Sequence, residues 1–334
     1  MGQKRNTNIE VLRLVLMLAI LCWHILVHGY GFKDIGGGKM ECLSDEVGIT
    51  FASLFAPATY CFMFISGYYG LKFSLKKCIS LEAWLILASL LTCFIGSCFF
   101  GKLTIMGLVN ACFPVSTMKW WFMTCYMLIF LLSPILNKGI DSLSKNSFLL
   151  IIVSLVTYQF FSFLRLQNNG GSNFLGLLTI FLIGRYFSIY KIEIKKNIAK
   201  VLFLLSWISL IGLMLLADHY SKTHVFTLLN YNTPLIMAIA ITVFYYVKGM
   251  TPHYLPKLNT FLKPVLFIYL ITDGLFVPFY EWVTSVLESN LLLGVLLFIS
   301  IPITCLIIGH VLIKFVDFLE SKINIHKIEE YVRL

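Results

Sequence analysis

The sequence predicts an all-α integral membrane bundle of about ten transmembrane helices with both termini in the cytoplasm. Three observations predict it. Of 334 residues, 59% are hydrophobic and 13% charged, where a soluble domain carries about 45–50% and about 25%. Apolar runs close to twenty residues long recur along the whole chain, the length that carries a helix across ~30 Å of hydrocarbon. The bases also segregate. With the first run laid from the cytoplasm outward, nineteen of the 26 Lys and Arg fall on inner segments and six on outer ones, with Arg13 inside the run. That is the positive-inside bias.

The expected spans are 9–28, 47–71, 79–100, 120–136, 148–166, 174–190, 198–217, 226–247, 264–282 and 291–315. An eleventh span would invert the later loops and destroy the charge bias. The first run carries an arginine and lacks a small-residue cleavage site after it, so it is expected to remain as a span. The net charge of +10 sits in short loops, where it sets topology. No folded basic domain is expected, and nucleic acid is excluded as a partner. The nine cysteines form no CxxC pair or zinc pattern, so neither a disulfide framework nor a metal site is expected.

The first span, NIEVLRLVLMLAILCWHILVHGY, holds Arg13 and His24 within an apolar run. An ionisable residue at membrane depth is costly and marks a candidate site. Eleven residues separate the two. At 3.6 residues per turn they share a face, about 16 Å apart along the axis. Glu10 lies one turn before Arg13 and offers it a neutralising partner. His28 lies four residues past His24 on the same side, placed to share its work or a ligand.

The outer loop that follows contains Gly36–Gly37–Gly38 and reads as a flexible turn. The second span ends FMFISGYYGLK, where Ser66, Gly67 and Gly70 permit a close helix approach or a break. Lys72, Lys76 and Lys77 come next. They read either as topology and headgroup contacts or, with Arg13, as a phosphate site at the same membrane face. The fourth span opens Trp120–Trp121 with Tyr126 further in. An interfacial aromatic belt explains these rings, and stacking against a sugar is the functional alternative. Asp218, His219 and His224 read as a solvated outer segment. In the ninth span Asp273 lies among apolar neighbours and is expected to face the bundle and pair with a histidine or with substrate hydroxyls. His310 reads as a structural histidine.

Coenzyme A has the shape the first span calls for, with phosphates at one end and a thin arm of roughly 15–20 Å, matched to the helix spacing. With its phosphates at Arg13, its thioester reaches His24. There an imidazole serves as general base toward an acceptor hydroxyl or takes the acyl group itself. Asp273 is placed to fix the imidazole tautomer. A sugar or lipid-linked-glycan transporter or flippase is the alternative reading, though no internal repeat supports it. A ligand sensor is a third.

At these residues the chain resembles the acyltransferase family 3 membrane proteins, whose mark is an Arg, ten residues and a His in the first helix. Arg13 and His24 match that pattern. FMFISGYY (62–69), WFMTCYMLIFLLSP (121–134) and IYL (268–270) resemble other spans of the family. The resemblance implies a single membrane-embedded acyltransferase domain over residues 1–334. It implies transfer of an acyl group, usually acetyl, from cytosolic acyl-CoA to a hydroxyl of a surface, exported or lipid-linked glycan. His24 would be catalytic, and Arg13 would serve the donor or the architecture. No permanently bound cofactor is expected; acetyl-CoA is a substrate, and membrane lipids are partners. A bacterial cell membrane is the expected location. Two positions depart from the family: Thr272–Asp273 stands where many members have a histidine, and Lys76–Lys77 where many have paired arginines.

Overall fold

The computed structural model describes residues 5–32, 45–101, 104–220 and 222–322, and all regular structure among them is helical. Lys4, Lys33, the Gly36–Gly37–Gly38 run, Lys39, Cys42, Lys102, Lys327 and Arg333 lie outside the described residues, as do the side chains of Lys222 and His224.

In chain order the helices are α1 (Thr7–His24), α2 (Asp45–Phe55), α3 (Ala58–Tyr69), α4 (Leu75–Phe100), α5 (Ile105–Cys112), α6 (Trp121–Ser142), α7 (Lys145–Leu164), α8 (Phe174–Ile189), α9 (Lys196–Tyr220), α10 (Pro234–Lys248), α11 (Pro256–Phe261), α12 (Leu266–Leu275), α13 (Val277–Ser289) and α14 (Leu291–Lys322). All ten expected segments appear as helices in the expected order. Among the described residues nine stretches are long and apolar enough to cross a membrane, and Phe174–Ile189 is a shorter apolar helix. Its 16 residues rise about 24 Å.

Three spans differ from the expected continuous helices, each with a proline at the interruption; the eighth opens as a 3-10 turn over Lys222–Leu229, and α10 begins only at Pro234. The second breaks between α2 and α3 at Pro57, which has no N–H for the carbonyl of Ser53. The ninth stops at Leu275, short of the expected 282, and turns at Phe276 (φ 62°) into α13. Pro278, in the first turn of α13, would clash with the Gly274 carbonyl if α12 continued.

The described helices gather into two compact units. The first holds α1–α3 and α7–α10, together with the ends of α6 and α11 that reach into residues 138–142 and 256–260. In it α3 packs on α8 and α10. Gly67 and Gly184 let α3 and α8 meet backbone to backbone: a Cβ on Gly184 would lie 2.7 Å from the Phe64 carbonyl oxygen, and one on Gly67 would collide with the Phe181 carbonyl. Small residues at such crossings replace the hydrophobic drive that lipid removes. A separate apolar cluster of the same unit unites Leu26, Phe32, Ala52, Met214 and Ile236. The Trp207 indole donates to the Ser53 hydroxyl at 3.0 Å.

The second unit holds α4, α5, most of α6, and α12–α14. There α12 lies along α4 and α14. Gly274 rests against Thr92, and Gly309 against Pro264 and Phe267. His310 meets the Phe261 carbonyl at 3.1 Å, in keeping with a structural role.

Candidate active site

Regular α-helix carries the chain from Thr7 to His24 without interruption. Arg13 and His24 therefore keep their shared face and their separation of about 16 Å. The start of α1 is pinned. Asn6 caps it by accepting from the Asn8 N–H at 3.0 Å. The Thr7 N–H donates to the His253 carbonyl at 2.8 Å, and the Asn8 side chain donates to the Thr251 carbonyl at 2.9 Å. The loop after α10 thus fixes the end of the helix that bears the arginine. Arg13 Nη1 lies 2.8 Å from Glu10 Oε1. Glu10 is buried, whereas the Arg13 side chain keeps 26% of its surface. The pair makes a neutral unit whose accessible half is the guanidinium.

Immediately after His24 the helix changes pitch. Residues Ile25–Gly29 form a π-turn, in which the Tyr30 N–H reaches back five residues to the Ile25 carbonyl at 3.0 Å. At the switch the Ile25 N–H is shared between the Leu21 and Cys22 carbonyls. Single π-turns inside α-helices occur frequently at functional sites. This one begins directly after His24 and contains His28. The His24 and His28 rings lie 5.6 Å apart, tilted by 50°, and both are half-buried. Gly31 (φ 65°) then ends the helix, and the fully buried Phe32 anchors the exit against Phe226.

The second span closes as its glycines foretell. Gly70 stops α3 with φ 78°, and its bare Cα accommodates the Arg185 guanidinium; a Cβ there would stand 2.6 Å from Nη1. Just before it Tyr69 is half exposed, and its hydroxyl lies within electrostatic reach of Arg13, Lys248 and Glu10. By sequence Lys248 is one of the nineteen inner bases, and its spacing gives no sign of this neighbourhood.

The remaining sequence-derived residues lie in the second unit. Lys72, Lys76 and Lys77 are exposed at the entry to α4. Lys76 is 3.9 Å from Glu320 of α14, whose buried carboxylate also accepts from the Ser80 hydroxyl. Trp120 is fully buried, with the Lys119 ammonium 5.0 Å from its ring centroid. Trp121 and Tyr126 are half-buried on either side of Phe122, each with its ring 6.2 Å from that phenylalanine.

Asp273 lies in the last turn of α12, next to the Gly274–Thr92 contact. Lys119 is close by. Its amine donates to the Thr92 hydroxyl at 2.9 Å and to the Ser89 hydroxyl at 3.2 Å. Burial pushes the Lys119 ammonium down to about 8, against the opposing pull of Cys93 and Asp273. Sequence reasoning counted Lys119 as an outer-loop charge. Only the fold of residues 113–120 back onto α4 shows that it is held within the protein. No group of three or more His, Cys, Asp or Glu side chains is placed to hold a metal among the described residues.

The chemistry on offer is clearest on α1. One face carries a cation half-neutralised by a buried carboxylate and, three turns on, two neighbouring imidazoles at a local break in helical pitch. A family model described as an acyltransferase domain matches residues 6–310. No curated protein and no solved structure matches the chain.

Proposed function

The chain belongs to the acyltransferase family 3, a family of membrane acyltransferases, and on that premise we propose that it moves an acetyl group from cytosolic acetyl-CoA to a hydroxyl of a surface or exported glycan in a bacterial cell membrane. The observation that carries this reading is the single uninterrupted helix that joins Arg13 to His24. Its spacing of about 16 Å suits a pantetheine arm lying along the helix. The donor phosphates sit at the Arg13 end, and the thioester carbonyl sits at the imidazole.

His24 takes the proton from the acceptor hydroxyl as its oxygen attacks the acyl carbon. The carbon–sulfur bond breaks, and the proton passes to the departing thiolate. Alternatively the imidazole accepts the acetyl group first and hands it to the acceptor. His28, its ring 5.6 Å from His24, is the second group at the reacting centre. Lys72, Lys76 and Lys77 draw the anionic donor to the cytoplasmic side.

The test uses the purified chain in lipid nanodiscs with acetyl-CoA and an acceptor glycan, reading free coenzyme A and glycan-bound acetate. His24→Ala is expected to abolish both at equal protein level. Undiminished glycan acetylation by His24→Ala would sink the proposal. Acid quench followed by mass spectrometry separates the two routes, since only the carrier route leaves acetyl on His24.

A further inference from the structure

Arg13 by itself is a poor phosphate site, because Glu10 at 2.8 Å already answers its charge. A donor with an adenosine 3′-phosphate and a diphosphate needs further cations. Within the first unit, Lys248 at the end of α10 meets the requirement. Its Nζ lies over the adjoining Tyr68 and Tyr245 rings, 5.5 and 5.7 Å from their centroids. The Tyr245 ring is itself fixed by a bond from its hydroxyl to the Ile192 carbonyl at 2.5 Å. The amine is therefore preorganised.

Its partner is not. Nζ bonds both oxygens of Glu193, at 2.8 and 2.6 Å. Glu193 comes from the short connection between α8 and α9, and its side chain is 58% exposed against 25% for Lys248. The Tyr68 hydroxyl stands 3.5 Å from the same carboxylate. A rooted cation thus holds a loosely rooted carboxylate in the geometry a phosphate would take. Beside it the Tyr69 ring is half exposed, lies edge-on to Tyr68 at 5.5 Å, and is reached by the charges of both Arg13 and Lys248. A half-exposed aromatic ring within electrostatic reach of two cations is the chemistry that binds a purine next to its phosphates.

We propose that Lys248 and Tyr69 form the nucleotide-end subsite for the acyl donor, and that Glu193 occupies the phosphate position until the donor displaces it. This rests on the acyltransferase reading for the identity of the donor. No covalent step is involved; one carboxylate–ammonium pair opens and one phosphate–ammonium pair forms.

Binding of coenzyme A, 3′-dephospho-coenzyme A and pantetheine to the full chain in nanodiscs tests it by calorimetry. Lys248→Met is expected to weaken coenzyme A about tenfold, as loss of one charge-assisted phosphate contact would, and to leave pantetheine unaffected. Lys248→Arg retains most of the affinity, which separates the contact from a folding defect. Glu193→Gln tightens coenzyme A several-fold, and the double variant with Lys248→Met loses that gain. In acetyl transfer the Lys248→Met defect appears in KM. Unchanged coenzyme A affinity in Lys248→Met, or weakened affinity in Glu193→Gln, overturns the subsite. Nanodiscs of neutral and of anionic lipid distinguish the other source of phosphate. If the Lys248→Met deficit exists only against anionic lipid, the site holds a lipid headgroup and the donor assignment is wrong. Wild-type protein that binds coenzyme A through Lys248 yet transfers no acetyl leaves the subsite standing and removes the acyltransferase reading. Transfer that is indifferent to Lys248, Tyr69 and Glu193 does the reverse.

Discussion

Gly67→Ala tests how the first unit carries its site residues. The added methyl has no free direction, because it points at the backbone carbonyl of Phe181, and a main-chain atom cannot rotate away as a side chain can. The helices must separate by several tenths of an ångström or more. Overpacking of this kind costs about 1–3 kcal/mol. Alanine's better helix propensity returns up to about 1 kcal/mol. The expected net loss is about 1–2 kcal/mol, a drop of a few degrees in Tm. Gly212→Ala in α9 is the control: nothing lies within 4 Å of its new methyl, so only the propensity gain remains and Tm should hold or rise. Melting of the two variants and the parent by intrinsic fluorescence in one detergent provides the comparison. Gly67→Ala should also raise the donor KM, because α3 ends in Tyr68 and Tyr69. If Gly67→Ala and Gly212→Ala shift Tm alike, the backbone contact between α3 and α8 does not exist as described.

Three further outcomes are expected. Lys119 carries a folded pKa of about 8 against its ordinary 10.5. Between those values the unfolded chain holds a proton that the folded chain has released, so its contribution to stability rises with pH across that window. The Tm difference between Lys119→Met and wild type should change steadily from pH 8 to 10, and a constant difference would show that the amine is not buried. Glu320→Ala should destabilise the second unit by about 2 kcal/mol, because its buried carboxylate bonds the Ser80 hydroxyl. Lys76→Ala should cost well under 1 kcal/mol, since the lysine is 61% exposed; equal thermal shifts would contradict this ranking. His28→Gln should slow acetyl transfer by roughly a hundredfold while leaving coenzyme A affinity intact; wild-type turnover would remove the second histidine from the reacting centre.

The sequence alone determined the membrane class, the order of the helical segments and the Arg13–His24 register. Each depends on a property local to a segment: apolar length, charge bias between loops, and the repeat of a regular helix. That Ser66, Gly67 and Gly70 allow a close approach or a break was legible for the same reason, since small size is a property of one residue; which of them does which was not. What those glycines approach was not legible. The partner carbonyl of Phe181 lies more than a hundred residues away, and only packing brings it near. The same holds for Lys119 against Ser89 and Thr92 of α4 and for Lys248 over the Tyr68 ring. A basic residue in a connecting segment reads identically whether it faces water or folds back onto a helix. The π-turn after His24 was also invisible, because Ile-Leu-Val-His-Gly is compatible with ordinary helix. The chain leaves that turn through Gly31 (φ 65°) and the fully buried Phe32. Local chemistry marked the candidate residues. Tertiary packing decided which cation stands next to Tyr69, because that depends on atoms distant in the chain.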